Sequence, residues 1–155
     1  MVCVPSTFMA TVISKSPEET FALGEAWGRE AQRGWVIGLS GDLGAGKTQL
    51  VKGLARGLGS TARVHSPTFA LLNEYAEGRA SLFHLDLYRL NNADDVRCAG
   101  LEEYLINPPG VAVVEWIERW LPLEPGRNTS LIKRLVWIET LSETERRITY
   151  EDSGA

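Results

Sequence analysis

Cysteine is scarce in this chain: Cys3 and Cys98 are the two among 155 residues. They are too few and too far apart for a zinc site or a disulfide framework, which leaves two idle or buried thiols as the expectation. Histidine is as sparse, and His65 and His84 alone do not make a metal ligand set. No stretch approaches the ~20 apolar residues that a bilayer span requires. Met1 to Ala10 has neither a charged leading region nor a continuous apolar run, so no signal peptide is expected and a cytoplasmic location is. Positive charge is in short supply: 16 Lys and Arg stand against 20 Asp and Glu, a net charge of −4. Coating nucleic acid unaided needs a basic face, so stable DNA binding is not expected and any RNA would be met only indirectly, through partners. Internal repeats, low-complexity tracts and linkers are absent.

What is present is ordinary globular usage, 44% apolar and 23% charged, in a length that suits one domain over residues 1–155 with a core from about 16 to 150. Ser16-Pro17-Glu18-Glu19 reads as a capped helix start, with Phe21, Leu23, Ala26 and Trp27 as its apolar stripe. Gly34 ends it, and Trp35 to Leu39 is a short strand. A glycine-rich loop follows, then a helix carrying Leu50, Val51, Leu54, Ala55 and Leu58 on one side. Phe69–Tyr75 and Ser81–Leu87 read as strands joined at Glu77-Gly78-Arg79. Asp94 to Leu105 looks helical with a break at Gly100, Val111 to Val114 is a buried-type strand, and 132–141 with 146–150 suggests a terminal hairpin. Trp116 and Trp120, four apart, suggest another helix. Alternation in the front half with adjacent strands later predicts an α/β fold with a mixed sheet.

The glycine-rich loop, Gly41-Asp42-Leu43-Gly44-Ala45-Gly46-Lys47-Thr48, fits G-x-x-x-x-G-K-[ST]. Such a loop curls so that successive N–H groups face phosphate oxygens, and the helix that follows aims its positive end at the same point. Lys47 would reach the β- and γ-phosphates and the Thr48 hydroxyl would ligate Mg2+. An incidental glycine loop matching this pattern would arise in roughly one random sequence in two hundred of this composition. The apolar strand before it and the amphipathic helix after it favour the phosphate loop. Guanine is usually read by Asn-Lys-x-Asp; Asn91-Asn92-Ala93-Asp94 lacks the Lys, so ATP is the better expectation.

Such a loop works with a carboxylate held at the end of an apolar strand. Two qualify: Asp86, on a face with His84 and Tyr88 by the two-residue period, and Glu115, just past four apolar residues. Either could hold the metal, directly or through water, while the other orients an attacking water. A single acid of this kind is as readily a capped turn or a surface ion pair; two beside a phosphate loop shift the balance. Thr68, in Ser66-Pro67-Thr68-Phe69, is a candidate sensor of γ-phosphate or Mg2+, although Ser66 before Pro67 also suits a plain turn. Arg89, Arg146 and Arg147 are candidate phosphate or partner contacts.

These four segments in order, the phosphate loop, Ser66-Pro67-Thr68-Phe69, His84-Leu85-Asp86-Leu87-Tyr88-Arg89 and Val114-Glu115-Trp116, resemble the TsaE (YjeE) family, from about Ser16 to Trp120. The resemblance implies a three-layer P-loop NTPase-like fold whose mixed, mainly parallel sheet carries antiparallel hairpin additions. It implies ATP and Mg2+ as cofactors, held through Asp42, Leu43, Gly44, Ala45, Gly46, Lys47, Thr48 and Thr68. Thr48 and Glu115 would lie near the metal, Asp86 would be needed for turnover, and Trp116 and Arg146 would lie beside the nucleotide. By the same likeness, the activity is ATP hydrolysis supporting threonylcarbamoylation of adenosine 37 in tRNA, exerted on a TsaD transferase with its TsaB partner. Because partners often supply stabilising cations to P-loop enzymes, weak turnover is expected of the protein alone. Gln49 and Ile117 depart from common family residues. The alternative on this scaffold is a small-molecule kinase, which would need an acceptor pocket and usually an arginine-bearing lid; no clear lid segment is apparent.

Overall fold

Apolar, β-branched segments of four to seven residues set the frame, and helices between them cover its faces. The structure, a computed structural model, describes residues 8–41, 46–65, 67, 71–121 and 131–153. In chain order the strands are β1 (Phe8–Ser14), β2 (Val36–Gly41), β3 (Leu72–Tyr75), β4 (Leu82–Asp86), β5 (Val111–Glu115), β6 (Arg134–Thr140) and β7 (Arg146–Asp152). The helices are α1 (Pro17–Glu30), α2 (Lys47–Gly57), α3 (Ala93–Cys98) and α4 (Glu102–Ile106), with a 3-10 turn at Ile117–Arg119. All seven strands join one sheet in the order β1-β7-β6-β2-β5-β4-β3. The central four, β6, β2, β5 and β4, run parallel. β3 flanks them antiparallel on one edge, and β7 then β1 on the other. This is the mixed α/β architecture expected, with both hairpins where the sequence suggested them.

One face of the sheet, including Ile37, Leu39, Val113 and Val136, packs against Trp27, Leu50 and Leu54 from α1 and α2. The other, including Val36, Leu85 and Val114, packs against Val96, Leu105, Ile117 and Trp120. Helices α1 and α2 meet through glycine. A β-carbon on Gly24 or Gly28 would overlap the backbone carbonyl of Leu50 or Leu54, and one on Gly53 or Gly57 would overlap that of Phe21 or Glu25. Both helices therefore carry Gly-x-x-x-Gly at their crossing, which brings backbone against backbone.

Side-chain capping fixes α1 at both ends. Ser16 Oγ accepts from the Glu19 N–H at 3.1 Å, while Glu19 reaches back one residue further than a capping box would, accepting from the Lys15 N–H at 2.7 Å. At the far end Arg79, from the β3–β4 connection, donates to the carbonyls of Gly28 (2.5 Å) and Arg29 (2.9 Å). Arg134, 3% exposed, forks onto Asp152 at 2.6 and 2.8 Å and reaches Glu30, between the rings of Trp27 and Tyr150, each 4.9 Å away. Its guanidinium is buried, which opposes the charge, but its bonds to the two carboxylates outweigh that and hold its pKa above the ordinary arginine value.

The sheet begins at Phe8, ahead of residue 16, in a strand whose mixture of apolar residues with Thr11 and Ser14 did not announce it. The stretch 94–105 is helical with the expected break, α3 and α4 being parted where Gly100 takes a left-handed φ of 76°. One expectation needs correction. Trp116 and Trp120 do not share an α-helix: Trp116 is left-handed (φ 60°, ψ 43°) and a single 3-10 turn separates the two. Cys98 is exposed and unpaired, and Cys3 lies outside the described residues.

Candidate functional site

Parallel strands leave a crevice beyond their carboxyl ends, and there the chain collects its candidate residues. β2 ends at Gly41, β4 at Asp86 and β5 at Glu115. Asp86 and Glu115 face each other in register across the β4–β5 pair. His84, two residues before Asp86, shares their face by the strand period. That face is the one covered by α2, whose first residue is Lys47.

Lys47 is 5% exposed, and its Nζ donates to the Gly41 carbonyl at 2.7 Å while sitting 4.0 Å from the centroid of the Trp116 ring. Trp116 reaches this position because its backbone turns left-handed straight after β5, the one positive φ outside glycine among the described residues. Tyr88 packs on the same indole, centroids 5.1 Å apart, and Arg119 lies 5.5 Å from it. The ring is thereby held over the ammonium group.

Glu115 is 4% exposed, and its Oε2 lies 2.6 Å from Nε2 of the fully buried His84. The other imidazole nitrogen, Nδ1, is buried with no partner among the described residues. A proton there would be an orphaned donor, so the tautomer that fits carries it on Nε2 and donates it to Glu115. Asp86 Oδ1 accepts from the Tyr88 N–H at 3.0 Å. Burial raises the Asp86 pKa above the ordinary aspartate value; the Tyr88 N–H opposes this, Glu115 adds to it, and His84 and Lys47 counter it. Two acids, one imidazole and one ammonium thus act on one another within a single crevice.

Gly46 takes the N-cap of α2 with φ 94° and brings no side chain to the helix end. Thr48 follows in the first turn. Arg146 donates to the carbonyls of Ser142 (2.7 Å) and Glu145 (2.9 Å) and lines a pocket of about 50 Å3 with Gly46, Gln49, Ser16 and Thr20, against the start of α2. Of the sequence candidates, Lys47, Asp86, Glu115 and Trp116 come together, with Gly46, Thr48 and Arg146 along the rim formed by α2. Asp42, Leu43, Gly44, Ala45 and Thr68 lie outside the described residues. His84 is the residue that sequence reasoning set aside; its two-residue spacing from Asp86 was the signal for it.

Among the described residues no group of three or more His, Cys, Asp or Glu could cage a metal ion. What exists is the buried Glu115 carboxylate, whose Oε2 bonds to His84 while Oε1 accepts no hydrogen bond among those residues. That donor set fits Mg2+, which takes one or two protein oxygens and completes its shell with phosphate and water.

Sheet order, phosphate-loop strand and crevice define a P-loop fold. Comparison with known proteins narrows this. A sequence profile described as "Threonylcarbamoyl adenosine biosynthesis protein TsaE" matches residues 14–148. The tRNA threonylcarbamoyladenosine biosynthesis protein TsaE of Bacillus subtilis is 43% identical over 142 residues, 90% of this chain and 83% of that one. Its counterpart in Treponema pallidum is 45% identical over 88% of this chain and 96% of its own. The crystal structure of Bacillus subtilis YdiB superposes with a TM-score of 0.73 at 34% identity, covering 96% of this chain and 88% of that one. The chain belongs to the TsaE family of tRNA threonylcarbamoyladenosine biosynthesis proteins. No helix among the described residues is long and apolar enough to cross a membrane.

Proposed function

We propose that this protein is a single-domain, cytoplasmic ATPase that binds ATP with Mg2+ beyond the ends of β2, β4 and β5. Hydrolysis would support N6-threonylcarbamoyladenosine formation at position 37 of tRNA by acting on a TsaB–TsaD type complex, with tRNA met only through those partners. The convergence of Lys47, Asp86 and Glu115 in one crevice, under Trp116, carries this reading.

Each residue has a task suited to its surroundings. Lys47, held by the Gly41 carbonyl and the indole, turns its ammonium to the β- and γ-phosphates, where charge builds as the terminal bond breaks. Thr48 and Glu115 would hold Mg2+, which when bound would supply further neutralisation of that charge. Asp86, fixed by the Tyr88 N–H, orients the attacking water; burial, by raising its pKa, makes it a better proton acceptor than a solvated aspartate. Residues 42–45, with Gly46, cradle the phosphates, Thr68 senses the γ-phosphate, and Trp116 and Arg146 flank the nucleotide. Stabilising cations in P-loop enzymes are often supplied by a partner, so basal turnover should be weak.

The test is phosphate release by the purified protein, alone and with a TsaB–TsaD pair. The pair should raise turnover, and Lys47→Ala should lower it by about 100-fold or more. No response to the pair would refute the partner assignment. A phosphorylated acceptor in place of free phosphate would establish the kinase alternative instead.

A further inference from the structure

The bond between His84 and Glu115 joins two side chains that both could have been apolar. β4 and β5 are otherwise buried strands, Leu82-Phe83-His84-Leu85-Asp86 and Val111-Ala112-Val113-Val114-Glu115. In register His84 pairs with Val113, one pleat short of Glu115, so its ring leans along the strand toward the carboxyl edge to make a 2.6 Å contact. A buried carboxylate with three rotatable bonds and a single oxygen engaged is fixed by that contact, and Oε1 is the oxygen left over. Strands do not need such a pair: well-packed apolar residues of similar volume serve stability as well or better. Its use lies in where it leaves the carboxylate. Ligands to metals are commonly oriented in this way by a partner behind them, whose loss costs 10–100-fold in metal affinity.

From this geometry we infer that His84 is a positioning residue for the divalent cation: its Nε2–H holds Glu115 Oε2 and thereby reserves Oε1 for the ion that accompanies the nucleotide. The inference rests on the reading of Glu115 as a metal-holding residue and names what makes that residue competent. His84 itself touches neither nucleotide nor metal. It should matter to affinity for Mg2+ and not to affinity for a metal-free nucleotide.

The shape of imidazole supplies the test. Glutamine places an amide N–H where Nε2 stands, whereas asparagine places one where Nδ1 stands, too short to reach Glu115. ADP binding by calorimetry, first in EDTA and then across a Mg2+ titration, is compared for the unaltered protein, His84→Asn, His84→Gln and Glu115→Gln. In EDTA the histidine variants should bind ADP within about two-fold of the parent. His84→Asn should need about ten-fold more Mg2+ for the metal-dependent gain in affinity, and His84→Gln should recover to within about three-fold. If His84→Asn responds to Mg2+ like the parent while Glu115→Gln does not, Glu115 needs no holding and the inference fails alone. Equal loss in both histidine variants, in EDTA as in Mg2+, assigns His84 to packing and also overturns it. An unaltered Mg2+ response in Glu115→Gln refutes the metal role of Glu115 and this inference with it. Should His84→Asn not fold, the imidazole 15N resonances of the unaltered protein decide, with His65→Gln used for assignment. Protonation at Nε2, with a shift when Mg2+ is added to the ADP complex, upholds the inference; no shift overturns it.

Discussion

Asp86 sits where burial opposes a charge and where the proposed chemistry needs one. Its pKa is raised chiefly by burial, so in the metal-free protein its ionised form favours the unfolded state, in which the group is solvated. That cost is present above the folded pKa and fades as the pH falls toward the ordinary aspartate value, where both states take up the proton. Asp86→Asn keeps an oxygen for the Tyr88 N–H and removes the charge. Without nucleotide or metal, the variant should melt higher than the parent at pH 7, and the gap should close on going to about pH 4. Its ATP turnover, measured with the partner complex, should fall by about 100-fold. A variant less stable than the parent at neutral pH would refute the account of strain at this site. The residue itself was readable in advance, as an acid at the end of an apolar run; that it shares its crevice with a hydrogen-bonded histidine was not. The left-handed backbone of Trp116 was equally hidden, because nothing in a Val-Glu-Trp-Ile string distinguishes a helix entry from a turn that a bulky residue rarely takes.

At the scale of elements, the boundary between legible and hidden follows how local the cause is. α1 was readable through Ser16 and Pro17, α2 through its apolar stripe, and the β3–β4 and β6–β7 pairs through short separations. The meeting of Gly24 and Gly28 with Gly53 and Gly57 was not, since it depends on which helices cross and at what depth. That crossing yields a prediction. Gly→Ala within an exposed helix stabilises by about 1 kcal/mol through propensity, yet Gly53→Ala should destabilise by about 2 kcal/mol, because overpacking a close contact costs ~1–3 kcal/mol and here the obstacle is the Phe21 carbonyl. Denaturant titration checks the sign. Since α2 begins at Lys47, the same variant should also weaken ATP binding several-fold. The ion pairs of Arg134 likewise tie β6, β7 and α1 together through partners more than a hundred residues apart in the case of Glu30, beyond the reach of any local pattern.

For the whole molecule the deciding feature is that β1 closes the sheet against β7, with Phe8 opposite Asp152 and Ser14 opposite Arg146. Its residues, Phe8-Met9-Ala10-Thr11-Val12-Ile13-Ser14, carry no charge, and Phe8, Met9 and Ile13 stay exposed. Apolar side chains on both faces blur the alternation by which strands are recognised, so the eye passes over it. Removing residues 1–12 would leave β7 as a bare edge while sparing every residue of the crevice. The truncated protein should lose several degrees in melting temperature and associate as its concentration rises, as light scattering would show, yet still bind ATP. A further consequence concerns synthesis. A ribosome delivers β1 first and its hydrogen-bonding mate only after well over a hundred more residues, so at the ~5–20 residues per second of translation the nascent chain carries an apolar, uncharged ribbon for roughly 7 to 26 seconds. That interval is when a chaperone, or another unfinished copy, has its opening.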